Sequence, residues 1–156
     1  MADPFRGGAD MISHRSFGRL GRDVSSIGFG AWAIGGSWGD VSEADAKATL
    51  HAALDAGVDF IDTADVYGDG RSERIIRDVL RDRGGVAPFV ATKAGRRLDP
   101  HVADNYTIEN IEAFIDRSLI NLGVDCLDLV QLHCPPTDVY YRPALFDGLD
   151  GLVKTG

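Results

Sequence analysis

The chain has 156 residues, about one domain's worth, and its 44% apolar and 26% charged residues give it a globular rather than a disordered composition. No run approaches the roughly 18 consecutive apolar residues of a membrane span. The net charge of −8, from 16 Lys and Arg against 24 Asp and Glu, argues against a nucleic-acid or anionic-membrane surface, which needs a basic excess. Two cysteines, Cys126 and Cys134, are too few for a disulfide framework and fit a reducing cytoplasm.

Residues 1–14 lack the apolar stretch of a secretory signal and read as a flexible leader, with Met11 as an alternative start. From residue 15 to 156 the chain reads as one domain. Arg15–Phe17 and Asp23–Ile27 flank a turn at Gly18–Arg22 and predict a β-hairpin. Ser26–Gly30 follows as a short apolar strand. Ser42 with Asp45 is a capping-box-like start for a helix carrying Ala46, Leu50, Ala53 and Leu54, ended by Gly57. Val58–Asp62 predicts the second strand. Ser72 opens a helix that turns Ile75, Ile76, Val79 and Leu80 inward, and the charges of Arg71–Arg83 read as a solvated face. Phe89–Lys93 is the third strand. Ile108, Ile111, Ile115, Leu119 and Leu122 then step by three and four behind Thr107, with Gly123 as the stop. Leu127–His133 is the fourth strand and Pro143–Lys154 a fourth helix. Strands beginning near 26, 58, 89 and 127 recur about every 31 to 38 residues, a βαβα repeat that requires parallel strands.

These strands are apolar until their last residues. Asp62 closes the second, Lys93 the third and His133 the fourth, and Tyr67 follows five residues after Asp62. In a parallel sheet the C-terminal strand ends share one rim, where α/β proteins build their sites. Singly, each residue reads equally as a cap or a surface group; at matching depth on successive units they read as a constellation. A phenol ionises near pH 10 and is too weak an acid to work unaided. A nearby ammonium favours phenolate and readies it for proton transfer, a carboxylate keeps the ammonium charged, and a neutral imidazole can orient a carbonyl oxygen. No metal-ligand spacing is present, because His133 and Cys134 would leave a strand in opposite directions.

On these residues the chain resembles the aldo-keto reductases, in their bacterial and channel-β-subunit-like branch. Phe60–Gly68 (FIDTADVYG) is similar to the family's Asp/Tyr signature, Ala91–Gly95 (ATKAG) to its Lys strand and Leu129–Pro135 (LVQLHCP) to its His strand. Arg15–Gly30 resembles the hairpin that plugs the bottom of the barrel, and Ala31–Gly39 the loop after the first strand. The resemblance implies an α/β fold of the (β/α)8 TIM-barrel type, of which the first four βα units are present as a half-barrel behind an N-terminal β-hairpin. It implies reduction of aldehyde or ketone carbonyls by hydride from NADP(H), with NAD(H) as an alternative. Tyr67 would be the general acid, Lys93 its tuning cation, Asp62 the partner of Lys93, and His133 the group that orients the substrate carbonyl. Gly30, Ala31, Trp32 and Asp62 would bind the nicotinamide end of the cofactor.

An eight-unit barrel needs about 250 residues, so the expectation is a truncated N-terminal fragment, weakly active or inactive alone. Its open half-barrel face would favour self-association. Two other function classes stay open: a non-catalytic channel-β-subunit-like or interaction module, and a Schiff-base lyase using Lys93. Gly28–Ala33 fits a loose dinucleotide-binding fingerprint, but the next helix waits until Ser42, whereas that fingerprint must open a helix directly. Asp65 and Asp69 read as solvated or capping loop carboxylates, and His14, His51 and His101 as exposed residues without partners. Cys126 reads as a small packing residue and Cys134 as a thiol near the rim. Tyr140 and Tyr141 sit in the loop after the fourth strand, where contact with substrate and packing are both open.

Overall fold

The computed structural model describes residues 12–18, 21–36 and 39–155. Strands β1 (His14–Ser16) and β2 (Asp23–Ser25) pair antiparallel as a hairpin, with His14 opposite Ser25. Four further strands, β3 (Phe29–Gly30), β4 (Phe60–Asp62), β5 (Phe89–Ala94) and β6 (Leu129–Leu132), form one sheet in the order β3-β4-β5-β6, every neighbour parallel. Helices α1 (Glu43–Asp55), α2 (Arg71–Arg83) and α3 (Ile108–Leu122) connect consecutive strands, and α4 (Pro143–Thr155) follows β6. The alternating α/β architecture read from the repeat is therefore present. Residues 1–11 of the expected leader lie outside the described residues, as do residues 19 and 20 of the hairpin turn, while His14 belongs to β1.

The helix starts follow their caps. Ser42 Oγ accepts the Asp45 N–H at 3.0 Å, and Thr107 Oγ1 accepts the Asn110 N–H at 3.3 Å, each satisfying an N-terminal donor that the helix leaves open. The first, second and fourth parallel strands are shorter than the apolar runs suggest, and the third runs one residue further, to Ala94. The Ser26 N–H donates to the Ser13 carbonyl, so that residue belongs to the hairpin. Val58 donates to the Ala53 carbonyl in the last turn of α1. Before β6, the Asp128 carboxylate accepts the Val90 N–H at 2.9 Å. Helix α2 begins at Arg71 behind Gly70, and Ser72, expected to open it, instead turns its hydroxyl into the core.

One core lies between the sheet and α1 and α2, around Leu50, Ile61, Ile76 and Val79. A second joins β5 and β6 to α3 and α4 around Tyr106, Ile111, Val139 and Leu145. At the N-terminal end of the sheet Phe17 packs edge-on against Phe60 and Phe89, at 5.5 and 5.4 Å between ring centroids. Asp59 fastens the hairpin there, accepting the Ser25 N–H at 2.6 Å and meeting the His14 ring at 3.1 Å.

Several blander readings need correction. His14 is exposed but has Asp59 as partner, and His101 meets the Tyr106 hydroxyl at 2.9 Å. The α2 face is not simply solvated. Arg71 donates to the carbonyls of Ile34 and Val41, and Glu73 is fully buried. Cys126, expected to pack, is exposed.

The largest correction concerns Asp65, which has no exposed surface and whose carboxyl makes no well-formed hydrogen bond, although the adjacent Val66 N–H approaches it. Burial first, and then the neighbouring Glu73, push its pKa from 3.8 up to about 6, against the opposing pull of Arg97, the Val66 N–H and Arg117. A carboxyl raised in this way binds its proton more tightly folded than unfolded. The stability it contributes is complete below pH 3.8 and is lost as pH rises through about 6. At about 1.4 kcal/mol per pH unit the loss is roughly 3 kcal/mol. Asp65→Asn is therefore expected to remove most of the decline in unfolding free energy between pH 4 and pH 7, measured by urea titration. A decline of the same size in the variant would contradict the assignment.

Candidate active site

Strand alternation sends Asp62 from β4 and Lys93 from β5 to the face of the sheet opposite the helices. The register places Asp62 beside Ala91, so Lys93 stands two residues further toward the C-terminal rim. Its ammonium donates to Asp62 Oδ1 at 2.6 Å, to the Thr63 carbonyl at 2.8 Å and to the Tyr67 hydroxyl oxygen at 3.3 Å. Three protons thus meet three oxygens, and with its side chain only 16% exposed the cation is neutralised where it sits. The same nitrogen lies 5.1 Å from the centre of the Tyr67 ring.

Tyr67 is held in the β4–α2 loop by a close backbone approach. A Cβ on Gly68 would strike the Gly35 carbonyl oxygen, and one on Gly35 would come within 2.9 Å of the Tyr67 carbonyl carbon. Gly68 also has a φ of 60°, in the left-handed region. Asp69, the next residue, ties the loop outward through Arg97 at 2.6 Å and Arg117 at 2.5 Å. Trp32 stacks on Tyr67 at 6.3 Å, and the His133 ring meets Tyr67 edge-on at 5.8 Å.

His133 follows β6 directly. Its N–H donates to the Ala94 carbonyl at 2.8 Å, and its own carbonyl accepts the Tyr106 hydroxyl at 3.0 Å. Burial first, then the Lys93 ammonium and the Arg96 guanidinium, hold the imidazole below its ordinary value of 6.5. The ring is therefore neutral at pH 7, and its Nδ1 is buried without a hydrogen-bond partner. A phenol, an ammonium–carboxylate pair and a neutral imidazole can together protonate and orient one oxygen atom of a ligand.

All four residues expected to form the site therefore come together. Of the three loop residues expected near a cofactor, Gly30 and Trp32 are exposed. Ala31 is fully buried with both backbone groups engaged, its N–H on Asp62 and its carbonyl on Ser72. The loop Ala31–Gly39 is described except at residues 37 and 38. Tyr140 and Tyr141 are exposed, and Cys134 is an exposed free thiol with a φ of 49°. Among the described residues no group of three or more His, Cys, Asp or Glu could hold a metal ion, and no helix is long and apolar enough to cross a membrane. Sequence reasoning missed the Thr63 carbonyl and the buried polar side chains Ser72, Glu73, Thr92 and Asn121 behind the site. The one available signal was an adjacent Ser and Glu in the first turn of α2, which resembles ordinary capping chemistry.

The family model for the aldo/keto reductase family matches residues 26–156. The chain is 36% identical to the aldo-keto reductase YhdN of Bacillus subtilis, over 80% of this chain and 38% of that protein. It is 42% identical to the pyridoxal 4-dehydrogenase of Microbacterium luteolum, over 76% and 42%. It is also 36% identical to a probable voltage-gated potassium channel subunit beta of Oryza sativa, over 80% and 38%. Among solved structures, the holo form of the aldo-keto reductase AKR11C1 from Bacillus halodurans superposes with a TM-score of 0.77 at 25% identity, over 93% of this chain and 47% of that one. An aldo-keto reductase from Klebsiella pneumoniae in complex with NADPH gives 0.66 at 26% identity, over 87% and 44%. The chain thus spans about half the length, or less, of the relatives it matches. With residues 26–156 matched as one stretch, the chain belongs to the aldo/keto reductase family.

Proposed function

We propose that this rim reduces aldehyde or ketone carbonyls with hydride from NADP(H), and that Tyr67 is the general acid. The observation that carries the reading is the single ammonium of Lys93, bonded at once to Asp62 and to the Tyr67 hydroxyl oxygen. The residues present fit the nicotinamide end of such a cofactor. Trp32 exposes 47% of its surface beside Tyr67, and a Cβ on Gly30 would meet nothing within 4 Å, which leaves open floor next to a flat aromatic wall. Gly30, Trp32 and Asp62 would hold that end, with Ala31 as the buried support behind them. The dihydronicotinamide, when bound, supplies the hydride.

Everything else falls to this chain's side chains. His133, neutral and facing Tyr67, donates an N–H to the carbonyl oxygen and fixes its direction. As the carbonyl carbon gains its C–H bond, the C=O π bond opens onto oxygen, and that oxygen takes the proton of the Tyr67 hydroxyl. The phenolate left behind faces the Lys93 ammonium 3.3 Å away, and Asp62 keeps the ammonium charged. Solvent returns the proton and the alcohol leaves.

On this reading residues 15–156 supply four βα units of a (β/α)8 barrel in a cytoplasmic protein. The open half-barrel face is then the surface for self-association. The similarity to a channel subunit beta supports a second reading, a non-catalytic interaction module.

Turnover separates the two. In a full eight-unit barrel that contains this chain, NADPH oxidation with 4-nitrobenzaldehyde is expected to fall at least about 100-fold in Tyr67→Phe, within the range that general acid catalysis contributes. A rate within threefold of the unsubstituted protein would remove Tyr67 from its role. The lowered pKa of His133 fixes the acid side of the profile. kcat/KM is expected to show an acid limb that depends on His133, has its midpoint below 6.5 and is absent in His133→Gln. A His133-dependent midpoint above 6.5 would contradict this.

A further inference from the structure

We propose that Glu73 is a positioning residue for Lys93 and that it acts through Thr92. The inference rests on the reading of Lys93 as the cation of the proton-transfer group. Ser72 and Glu73 are the second and third residues of α2, and neither has any exposed surface. Ser72 Oγ donates to the Ala31 carbonyl at 3.0 Å and lies 2.9 Å from Thr63 Oγ1. Glu73 Oε1 accepts the Thr92 hydroxyl at 2.7 Å, and Oε2 accepts the Asn121 amide at 2.8 Å. Of two adjacent helix residues, Ser72 therefore ties down the ends of β3 and β4, and Glu73 links β5 to α3.

Each of these attachments is one covalent step or one hydrogen bond from the site. The Ala31 N–H donates to the Asp62 carbonyl, and the Thr63 carbonyl accepts from the Lys93 ammonium. Thr92 immediately precedes Lys93, and alternation sends their side chains to opposite faces of β5. A bond that fixes Thr92 from the helix side therefore fixes the depth and angle at which Lys93 leaves the strand.

The chemistry of Glu73 suits this task and no simpler one. Two donors, a hydroxyl and an amide, converge on it, and a carboxylate, which only accepts, satisfies both. A buried carboxyl is costly, and Glu73 has no ion pair among the described residues to offset the cost.

The test needs neither cofactor nor turnover, so failure of the reductase reading leaves it intact. The chain has only three lysines, Lys47, Lys93 and Lys154. Proton–nitrogen NMR of the lysine ammonium groups, with the Lys93 signal identified by its loss in Lys93→Arg, reports how firmly that ammonium is held through its hydrogen exchange. Thr92→Val and Glu73→Gln are each expected to accelerate exchange at Lys93 at least tenfold, and Thr92→Ser, which keeps the hydroxyl, to return it to the original rate. Should Glu73→Gln not fold, the Thr92 pair decides alone. Exchange within twofold of the original in Thr92→Val, even with a lowered Tm, would make Glu73 a structural residue only and overturn the proposal.

Discussion

A lysine ammonium removed from water is the constraint around which this molecule is arranged. Lys93 is mostly buried and must find acceptors for three protons; Asp62, the Thr63 carbonyl and Tyr67 supply them. The carboxylate is the member that cannot be replaced, because it alone offsets the charge. Parallel pairing of β4 and β5 brings it within 2.6 Å without strain, since the register sets Asp62 one alternation short of Lys93 on the same face. The first turn of α2 and the glycine contact at Gly35 and Gly68 then hold the strand ends and the Tyr67 loop around that ion pair.

The two ends of the sheet divide the work. At the N-terminal end, Phe17, Phe60 and Phe89 pack ring against ring and Asp59 fastens the hairpin, so that end contributes stability. At the C-terminal end β4 and β5 carry Asp62 and Lys93 and His133 follows β6, so polar groups take the place of apolar packing there. Asp65 shows what this costs. It shares a loop with Tyr67, is buried without a well-formed hydrogen bond, and binds a proton at a pH where an exposed aspartate would be ionised.

The sheet and the site were legible in the sequence to different depths. Parallel strands, the helices and the convergence of Asp62, Lys93 and His133, with Tyr67 in the loop after Asp62, follow from the repeat and from the polar residue at each strand end. The strand order is implied instead by the family resemblance. The strand lengths were not legible, because a run such as Val58–Asp62 does not reveal that the Val58 N–H bonds back to the last turn of α1. Asp65, Ser72 and Glu73 were read as solvent-facing or capping groups for a related reason. Polar residue types at a loop or helix start look the same whether they meet water or a strand, and only the tertiary packing of α2 on the sheet turns them inward. Ala31 differs again. Its place beside the rim was readable, but the double use of its backbone by Asp62 and Ser72 is a property of three elements meeting.

The ion pair itself is open to a double-mutant cycle that asks nothing of catalysis. Urea unfolding of Asp62→Asn, Lys93→Met and the double variant measures the coupling between the two side chains. If Asp62 is what makes the buried ammonium tolerable, the two single losses exceed what the double variant shows, with a coupling of about 1 kcal/mol or more. Losses that add to within about 0.5 kcal/mol would mean that Lys93 and Asp62 are neighbours without interdependence, and the rim would need another organising interaction.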